Sequence, residues 1–129
     1  MIRNRILLLA IGSNFQSWNR IRKAKRLIQA SFPSIVSFSS IVMTEPIGIG
    51  GKPFSNCMAI MLTDLSIEET TARLKKIECA CGNTDEKRAR NIIEMDIDIL
   101  MHGGKRYHEQ DWDRPYIRQL LQEISIPLS

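Results

Sequence analysis

The sequence lacks any apolar run of the roughly 20 residues that a membrane-spanning helix needs, and only 6% of its 129 residues are aromatic. Its three cysteines are an odd number, which argues against a disulfide framework. We expect Cys57, Cys79 and Cys81 to be reduced thiols in or near the core. Internal repeats and low-complexity segments are absent as well. These absences exclude a helical membrane protein and a disulfide-stabilised secreted domain, and leave a globular protein of ordinary composition.

The N-terminal segment admits two interpretations. Ile6–Ile11 is apolar and follows basic residues, as in a signal peptide, but the Gly12-Ser13-Asn14 segment after it offers no cleavage site. We therefore interpret Ile6–Ile11 as a buried strand of a cytoplasmic protein. The chain length suits one folded unit with its own core, so we expect residues 1–129 to form a single domain.

The order of the predicted elements indicates the fold class. Ser66 and Glu69 have the spacing of a capping box at the start of a helix that Gly82 ends, and Asn83–Asn91 is expected to be a charged loop. The predicted strands cover about Ile6–Ile11, Ile35–Met43, Phe54–Leu62 and Ile93–Met101, and the predicted helices cover about Trp18–Ser31, Ser66–Cys81 and Pro115–Glu123. This β-α-β-β-α-β order predicts an α+β, ferredoxin-like fold with an antiparallel sheet, helices on one face and a short C-terminal helix.

The fourth predicted strand carries acids on alternate positions. Glu94, Asp96 and Asp98 fall on one face, and Asp96 and Asp98 lie about 7 Å apart along a strand. Carboxylates this close repel each other, and a divalent cation between them would relieve the repulsion. The pattern leaves two interpretations open: a Mg²⁺ site for a nucleotide, or an edge strand with a solvated acidic face. The opposite face is apolar and is expected to meet the core through Ile93, Met95, Ile97, Ile99 and Met101.

Positive charge is concentrated on the first predicted helix. The chain has a net charge of +4, and this helix carries Arg20, Arg22, Lys23, Lys25 and Arg26. Such a cluster suits a nucleic acid or an acidic partner, and it is also typical of a solvated helix face.

Seven separated motifs follow one another in a specific order. They are Leu9-Ala10-Ile11-Gly12-Ser13-Asn14, Thr44-Glu45-Pro46-Ile47-Gly48, Pro53-Phe54-Ser55-Asn56, Ile77-Glu78 with Gly82, Asp96-Ile97-Asp98-Ile99-Leu100, His108 with Arg114, and Leu121-Gln122-Glu123-Ile124. In this order and spacing the chain resembles the 6-hydroxymethyl-7,8-dihydropterin pyrophosphokinase family of folate biosynthesis. The resemblance covers nearly the whole chain.

The resemblance implies a transfer of pyrophosphate from ATP to the hydroxymethyl oxygen of the pterin. The family binds two Mg²⁺ ions with ATP through an aspartate pair that corresponds here to Asp96 and Asp98. Such a reaction needs charge neutralisation and alignment rather than a side-chain nucleophile. The catalytic residues expected from the resemblance are Asp96, Asp98, His108, Arg114 and Arg88.

The resemblance also implies a pterin pocket. The two aromatic residues between which the family stacks its pterin ring correspond to Phe54 and Tyr116. Asn56 would offer donors and an acceptor to the pyrimidine edge of the ring. Main-chain groups of the Thr44–Ile47 loop would face the same edge. The pterin-binding residues expected in this way are Thr44, Pro46, Ile47, Phe54, Asn56 and Tyr116.

Several phosphate-binding positions depart from the family pattern. The family's arginine three residues before the first aspartate corresponds to Ile93, and two basic residues after the helix-ending glycine correspond to Asn83 and Asp85. A tryptophan later in that loop is replaced by Arg90. Each charge-assisted phosphate contact contributes roughly 1.5–3 kcal/mol. The resemblance therefore implies an enzyme that is weaker than typical members.

Three basic residues, Lys87, Arg88 and Arg90, remain in the charged loop. Their side chains could contact the triphosphate, or the segment could be a solvated loop of mixed charge. Ile93 is expected on the apolar face of its strand, so a basic residue there could not reach phosphate by a change of rotamer alone.

Two alternatives to the enzyme remain. A catalytically silent relative would bind a pterin or a nucleotide and act as a regulator. An RNA-binding module of the same layout would stack bases on aromatic residues in its central strands, but Leu7–Ile11 and Cys57–Leu62 contain none. The expected partners are therefore ATP and 6-hydroxymethyl-7,8-dihydropterin, with neither a membrane nor a nucleic acid.

Overall fold

A computed structural model describes residues 5–15, 17–45 and 52–124 of the chain. Within these ranges six strands form one antiparallel sheet, in which β1 (Arg5–Ser13) lies between β4 (Phe54–Thr63) and β5 (Asp96–His102). Three shorter strands extend the edges: β2 (Ser37–Phe38) and β3 (Val42–Thr44) pair with β4, and β6 (Lys105–Arg106) pairs with β5.

Two long helices cover one face of the sheet. They are α1 (Ser17–Ser31) and α2 (Ile67–Ala80). Their apolar stripes pack on the odd-numbered side chains of β1 and β4, which form the larger core cluster. Ser66 and Glu69 make both bonds of the predicted capping box at the start of α2. The predicted α+β fold with an antiparallel sheet is confirmed.

The other face of the sheet carries a smaller cluster near the end of the chain. A 3-10 helix (Glu109–Asp113) leads into α4 (Pro115–Leu121), which places Ile117 and Leu120 against Leu8 and Met58. This cluster covers only part of the face. The remainder, toward the end of β5 that begins with Asp96, is lined by polar side chains together with Phe54 and Tyr116.

The predicted second strand is interrupted, and the prediction of one strand over Ile35–Met43 is wrong. Ser39 both donates its backbone N–H to the Met58 carbonyl and accepts the Met58 N–H on its side-chain oxygen, at 2.9 and 2.8 Å. Ser40 bonds the Glu123 carboxylate through its N–H and its hydroxyl. Because side chains replace the regular ladder here, the segment divides into β2 and β3.

The acidic strand begins later than predicted. β5 starts at Asp96, and Ile93 lies before it, half-buried, with its backbone bonded to Asn14. Glu94 is buried rather than exposed beside the aspartates. The pairing register with β1 shifts opposite Leu8 and Leu9, so Met101 packs with the smaller cluster instead of the larger one. A bulge of this kind breaks the period of two on which the prediction depended.

Two further predictions are wrong in part. The charged loop contains a short helix, α3 (Asp85–Ala89), whose first turn is capped by the Thr84 hydroxyl accepting the Lys87 N–H. Cys57 and Cys81 are buried free thiols as expected, but Cys79 is exposed. Among the described residues, no helix has both the length and the hydropathy needed to cross a membrane.

Candidate functional site

Asp96 and Asp98 stand at the start of β5, opposite the two smallest side chains of β1. Asp96 pairs with Gly12, and Asp98 pairs with Ala10. Residues paired across an antiparallel ladder share a face of the sheet. Small neighbours therefore leave the space beside both carboxylates open, on the face that the smaller cluster covers only in part.

A first cavity of about 260 Å³ opens beside the aspartates. It brings together residues from the three central strands β4, β1 and β5, the end of β3 and the start of α4. Asp96, Asp98, Thr44, Phe54, Asn56, Arg114 and Tyr116 are among its lining residues. The structure thus gathers four of the six predicted pterin-binding residues around one space. Pro46 and Ile47 lie outside the described residues.

Asn56 forms part of the floor of this cavity and is largely buried. Its Nδ2 donates to the Thr44 hydroxyl at 2.8 Å, and its Oδ1 lies on the side of Gly12. A Cβ added at Gly12 would lie 3.1 Å from that oxygen. The β1–β4 register places Asn56 beside Gly12, and the β1–β5 register places Asp96 on the other side of the same glycine.

A second cavity of about 390 Å³ reaches the same aspartates from the α2 side. Apolar side chains of α2 and β5 line one part of it. Polar and charged residues line the rest, including Arg88 and His108. Asp96 and Asp98 border both cavities, so any molecule in either one lies beside the carboxylate pair.

The Asp96 and Asp98 carboxylates repel each other, and Asp98 is also partly buried. Burial and the neighbouring Asp96 carboxylate raise the pKa of Asp98 to about 6, against the lowering effect of His108. His108 Nε2 lies 3.8 Å from Asp98 Oδ1. Mg²⁺ prefers one or two carboxylates and takes its other oxygen ligands from water and phosphates. The Asp96 and Asp98 carboxylates supply two oxygen ligands of this kind, and a bound cation would relieve their repulsion. The pair therefore fits such an ion.

Arg88 reaches the carboxylate pair from α3. Its Nη2 donates to Asp96 Oδ1 at 3.2 Å and lies 3.9 Å from Glu78 Oε2. In the amide orientation that satisfies its surroundings, the Asn83 oxygen accepts from Arg88 Nη2 and Nε at 2.7 and 2.9 Å. Glu78 in turn accepts the Ile97 N–H at 2.8 Å, and burial raises the pKa of the Glu78 carboxyl. These contacts hold the guanidinium at the edge of the second cavity.

His108 and Arg114 flank the 3-10 helix on the other side of the site. His108 has a left-handed backbone with φ of 54°, an uncommon conformation for a residue other than glycine. Arg114 donates its Nε to Asp111 Oδ1 at 2.8 Å. All five predicted catalytic residues therefore line one or both cavities.

The other basic residues of the α3 segment are further from the aspartates. Lys87 donates to the buried Glu94 carboxylate at 2.8 Å, and Arg90 lies 4.0 Å from Glu86 on the surface. Neither lines the two cavities that Asp96 and Asp98 share.

Three residues of the site did not emerge as site residues from the sequence. Gly12 sits inside a strand, where glycine often marks a close backbone approach, and this signal was available. Asp111 lies three residues before Arg114, a spacing that permits their contact but does not predict it. The role of Glu78 in capping the Ile97 N–H depends on tertiary packing that no local pattern shows.

The basic cluster of α1 is largely occupied within the chain. Arg20 bonds Glu94, Lys23 bonds the Ala80 carbonyl, and the Lys25 ammonium lies 5.4 Å from the Phe38 ring centroid. Arg22 and Arg26 are exposed. Three of the five charged side chains thus have intramolecular partners: an acid, a backbone carbonyl and an aromatic ring. These contacts support the interpretation of the cluster as a structural helix face.

A protein-family model described as 7,8-dihydro-6-hydroxymethylpterin-pyrophosphokinase matches residues 8–126. The chain belongs to this family. Among curated protein sequences, none matches the chain. In this pyrophosphokinase-family chain, six of the seven motifs contribute residues to the lining of the two cavities. Asn83, Asp85 and Ile93, where the chain departs from the family pattern, lie in or next to the α3 segment.

The raised pKa of Asp98 predicts a pH dependence of stability in the metal-free protein. The folded state raises this pKa from 3.8 to about 6, so the stabilisation is complete below the unfolded value and is lost as the pH rises through the folded one. Relative to Asp98→Asn, the wild type should therefore lose stability between about pH 4 and pH 7. Urea denaturation of both proteins in chelator measures this, and a difference that stays constant over the range would contradict the electrostatic account.

Proposed function

We propose that this member of the family transfers pyrophosphate from MgATP to 6-hydroxymethyl-7,8-dihydropterin. The observation that carries the proposal is that Asp96 and Asp98 border two separate cavities. A two-substrate transfer needs the reacting groups of both substrates at one place, and the carboxylate pair is the feature that the two cavities share. We also propose that residues 1–129 act as one catalytic domain of a cytoplasmic enzyme.

The first cavity would hold the pterin. Phe54 and Tyr116 both line it and offer aromatic surface for a flat heterocycle, and burial raises the pKa of the Tyr116 hydroxyl. Asn56 is fixed by its bond to Thr44 and offers its amide to a ring edge with alternating donors and acceptors. The family resemblance also assigns Pro46 and Ile47 to pterin binding.

The second cavity would hold the nucleotide, with its triphosphate toward Asp96 and Asp98. Two Mg²⁺ ions bound by these carboxylates would neutralise the triphosphate and favour its alignment with the pterin hydroxyl. Arg88 would supply positive charge from the α3 side, and His108 and Arg114 would supply it from the other side. Guanidinium groups suit phosphate oxygens because they donate in a planar fork.

In the proposed reaction, the pterin hydroxymethyl group loses its hydroxyl proton to water, and its oxygen bonds to the β-phosphorus. The bond from that phosphorus to the oxygen shared with the α-phosphate breaks, and AMP leaves. No side-chain nucleophile takes part, so the residues of this chain act by orienting two substrates and by stabilising negative charge. This requirement agrees with a site rich in carboxylates and cations.

A catalytically silent pterin-binding relative is the second candidate. The observation in its favour is that the α3 side offers less positive charge than the family pattern. Asn83, Asp85 and Ile93 stand where the family has basic residues, and Lys87 is bonded to Glu94. Under this alternative both ligands could bind, but no AMP would form.

The enzyme proposal predicts slow but measurable AMP formation from MgATP and the reduced hydroxymethyl pterin. Arg88→Ala and Arg114→Ala should each lower the rate at least tenfold, about 1.4 kcal/mol in the barrier. Long incubations with separation of the nucleotides measure this rate.

Two variants serve as controls for this experiment. Asp96→Asn sets the background, since it removes one carboxylate of the pair. Arg118→Ala removes an exposed arginine that bonds Asp113 outside both cavities, and it should leave the rate unchanged. A wild-type rate no greater than that of Asp96→Asn would favour the silent relative.

The pocket proposal predicts that Phe54→Ala weakens pterin binding by roughly 1–3 kcal/mol through lost stacking and buried area. Asn56→Ala should weaken it by a similar amount, because ring donors and acceptors would lose their partner. Calorimetric titration with the pterin measures both, with the exposed aromatic Trp18 replaced by alanine as the control. Unchanged affinity in both pocket variants would place the pterin elsewhere.

A further inference from the structure

Glu94 is a charged residue that is only 1% exposed. A buried carboxylate is strongly unfavourable unless cations and hydrogen bonds compensate for its lost hydration. Arg20 Nη2 donates to Oε1 at 3.0 Å, and Lys87 Nζ donates to Oε2 at 2.8 Å. Burial opposes ionisation, but these two cations outweigh it and lower the pKa of the Glu94 carboxyl. The carboxylate therefore joins α1 to the α3 segment.

The fit around this carboxylate is close. Lys87 Nζ also donates to the Gly82 carbonyl at 3.3 Å, at the turn between α2 and α3. A Cβ added at Gly82 would lie 2.2 Å from Glu94 Oε2, and the backbone there has φ of 94°. The turn thus packs directly against the carboxylate, and only glycine fits it without strain.

The position of α3 depends on these contacts because the helix is too short to be stable alone. It has five residues, whereas an isolated helix needs roughly 12–15 to form appreciably in water. Its two consecutive basic residues bond two acids that stand two positions apart: Lys87 bonds Glu94, and Arg88 bonds Asp96. The first bond is buried on the Glu94 side, and the second lies at the candidate active site.

We propose that Glu94 is a positioning residue, which holds Lys87 and thereby keeps Arg88 beside Asp96 for use on the nucleotide. This inference rests on the proposed function. It assigns Lys87 to the support of α3 rather than to the triphosphate, and it leaves Arg88 as the basic residue of α3 that acts on the substrate. The effect of Glu94 on ligands should then be confined to the nucleotide, because Arg88 lines the second cavity and no residue of α3 lines the first.

The test compares three variants in the full chain. Glu94→Gln keeps the side-chain shape but offers one acceptor oxygen to two cations. Lys87→Met removes the bonds of Lys87 to Glu94 and to the Gly82 carbonyl, and it keeps the Glu94–Arg20 pair. Glu86→Gln is the matched control, because Glu86 is an exposed acid on the same helix.

Two readouts are independent of turnover. The first is hydrogen exchange at the Arg88, Arg90, Asn91 and Ile92 amides, each of which is bonded within the α3 segment. The second is the affinity for a non-hydrolysable ATP analogue with Mg²⁺, measured beside the affinity for the pterin. We expect Glu94→Gln and Lys87→Met to accelerate exchange in this segment at least tenfold and to weaken analogue binding at least tenfold. Pterin affinity should stay unchanged, and Glu86→Gln should behave as the wild type in every respect.

Each outcome decides the inference. Unchanged exchange, unchanged analogue affinity, or an equal loss for both ligands in Lys87→Met would overturn it. If Glu94→Gln does not fold, Lys87→Met alone decides by the same criteria. If the wild type binds no analogue, the proposed function fails, and exchange in the α3 segment still shows whether Glu94 holds the helix.

Discussion

The site depends on the small side chains of β1 that separate two functional strands. Gly12 lies between Asn56 of β4 and Asp96 of β5, and Ala10 lies opposite Asp98. Because these positions carry almost no side chain, the amide and the two carboxylates face a common space instead of being separated by packed atoms. A larger residue at Gly12 would approach the Asn56 oxygen within 3.1 Å. The register of three strands thus sets the distance between the Asn56 amide, which would bind the pterin, and the Asp96 and Asp98 carboxylates, which would bind the metal.

Charge pairing organises the remaining side of the site. Each of the two cations on α3 has a specific acid: Lys87 has the buried Glu94, and Arg88 has Asp96. Arg114 is likewise held by Asp111. The site therefore contains cations that are oriented before any substrate binds, which reduces the entropy lost on binding. Under the proposed function, the same pairing would keep Lys87 away from the triphosphate. Phosphate binding would then depend strongly on Arg88 and Arg114, because basic residues of the family pattern are replaced by Asn83, Asp85 and Ile93.

Local pattern predicted much of this arrangement. The order of the elements, with the apolar run of β1 and the capping box at Ser66, predicted the fold class. The aspartates two residues apart predicted a candidate Mg²⁺ site but left a solvated acidic face open, and the other candidate site residues came from the family resemblance. The sequence did not show that the predicted second strand is interrupted at Ser39. The interruption depends on a tertiary contact, in which the Ser39 hydroxyl accepts the Met58 N–H of β4 in place of a backbone carbonyl. Glu94 was grouped with Asp96 because both are acidic and alternate, whereas its burial depends on Arg20, 74 residues away in the chain. Periodicity describes neighbours along a strand, and it cannot describe partners that only tertiary folding supplies.

The central claim is that two substrates meet at the Asp96–Asp98 pair from separate cavities. The most direct measurement is a calorimetric titration of the protein with hydroxymethylpterin, performed with and without saturating Mg²⁺ and a non-hydrolysable ATP analogue. The account predicts a ternary complex in which pterin affinity is maintained or increased when the nucleotide site is full. Competition between the two ligands, with pterin binding lost in the presence of the analogue, would contradict it.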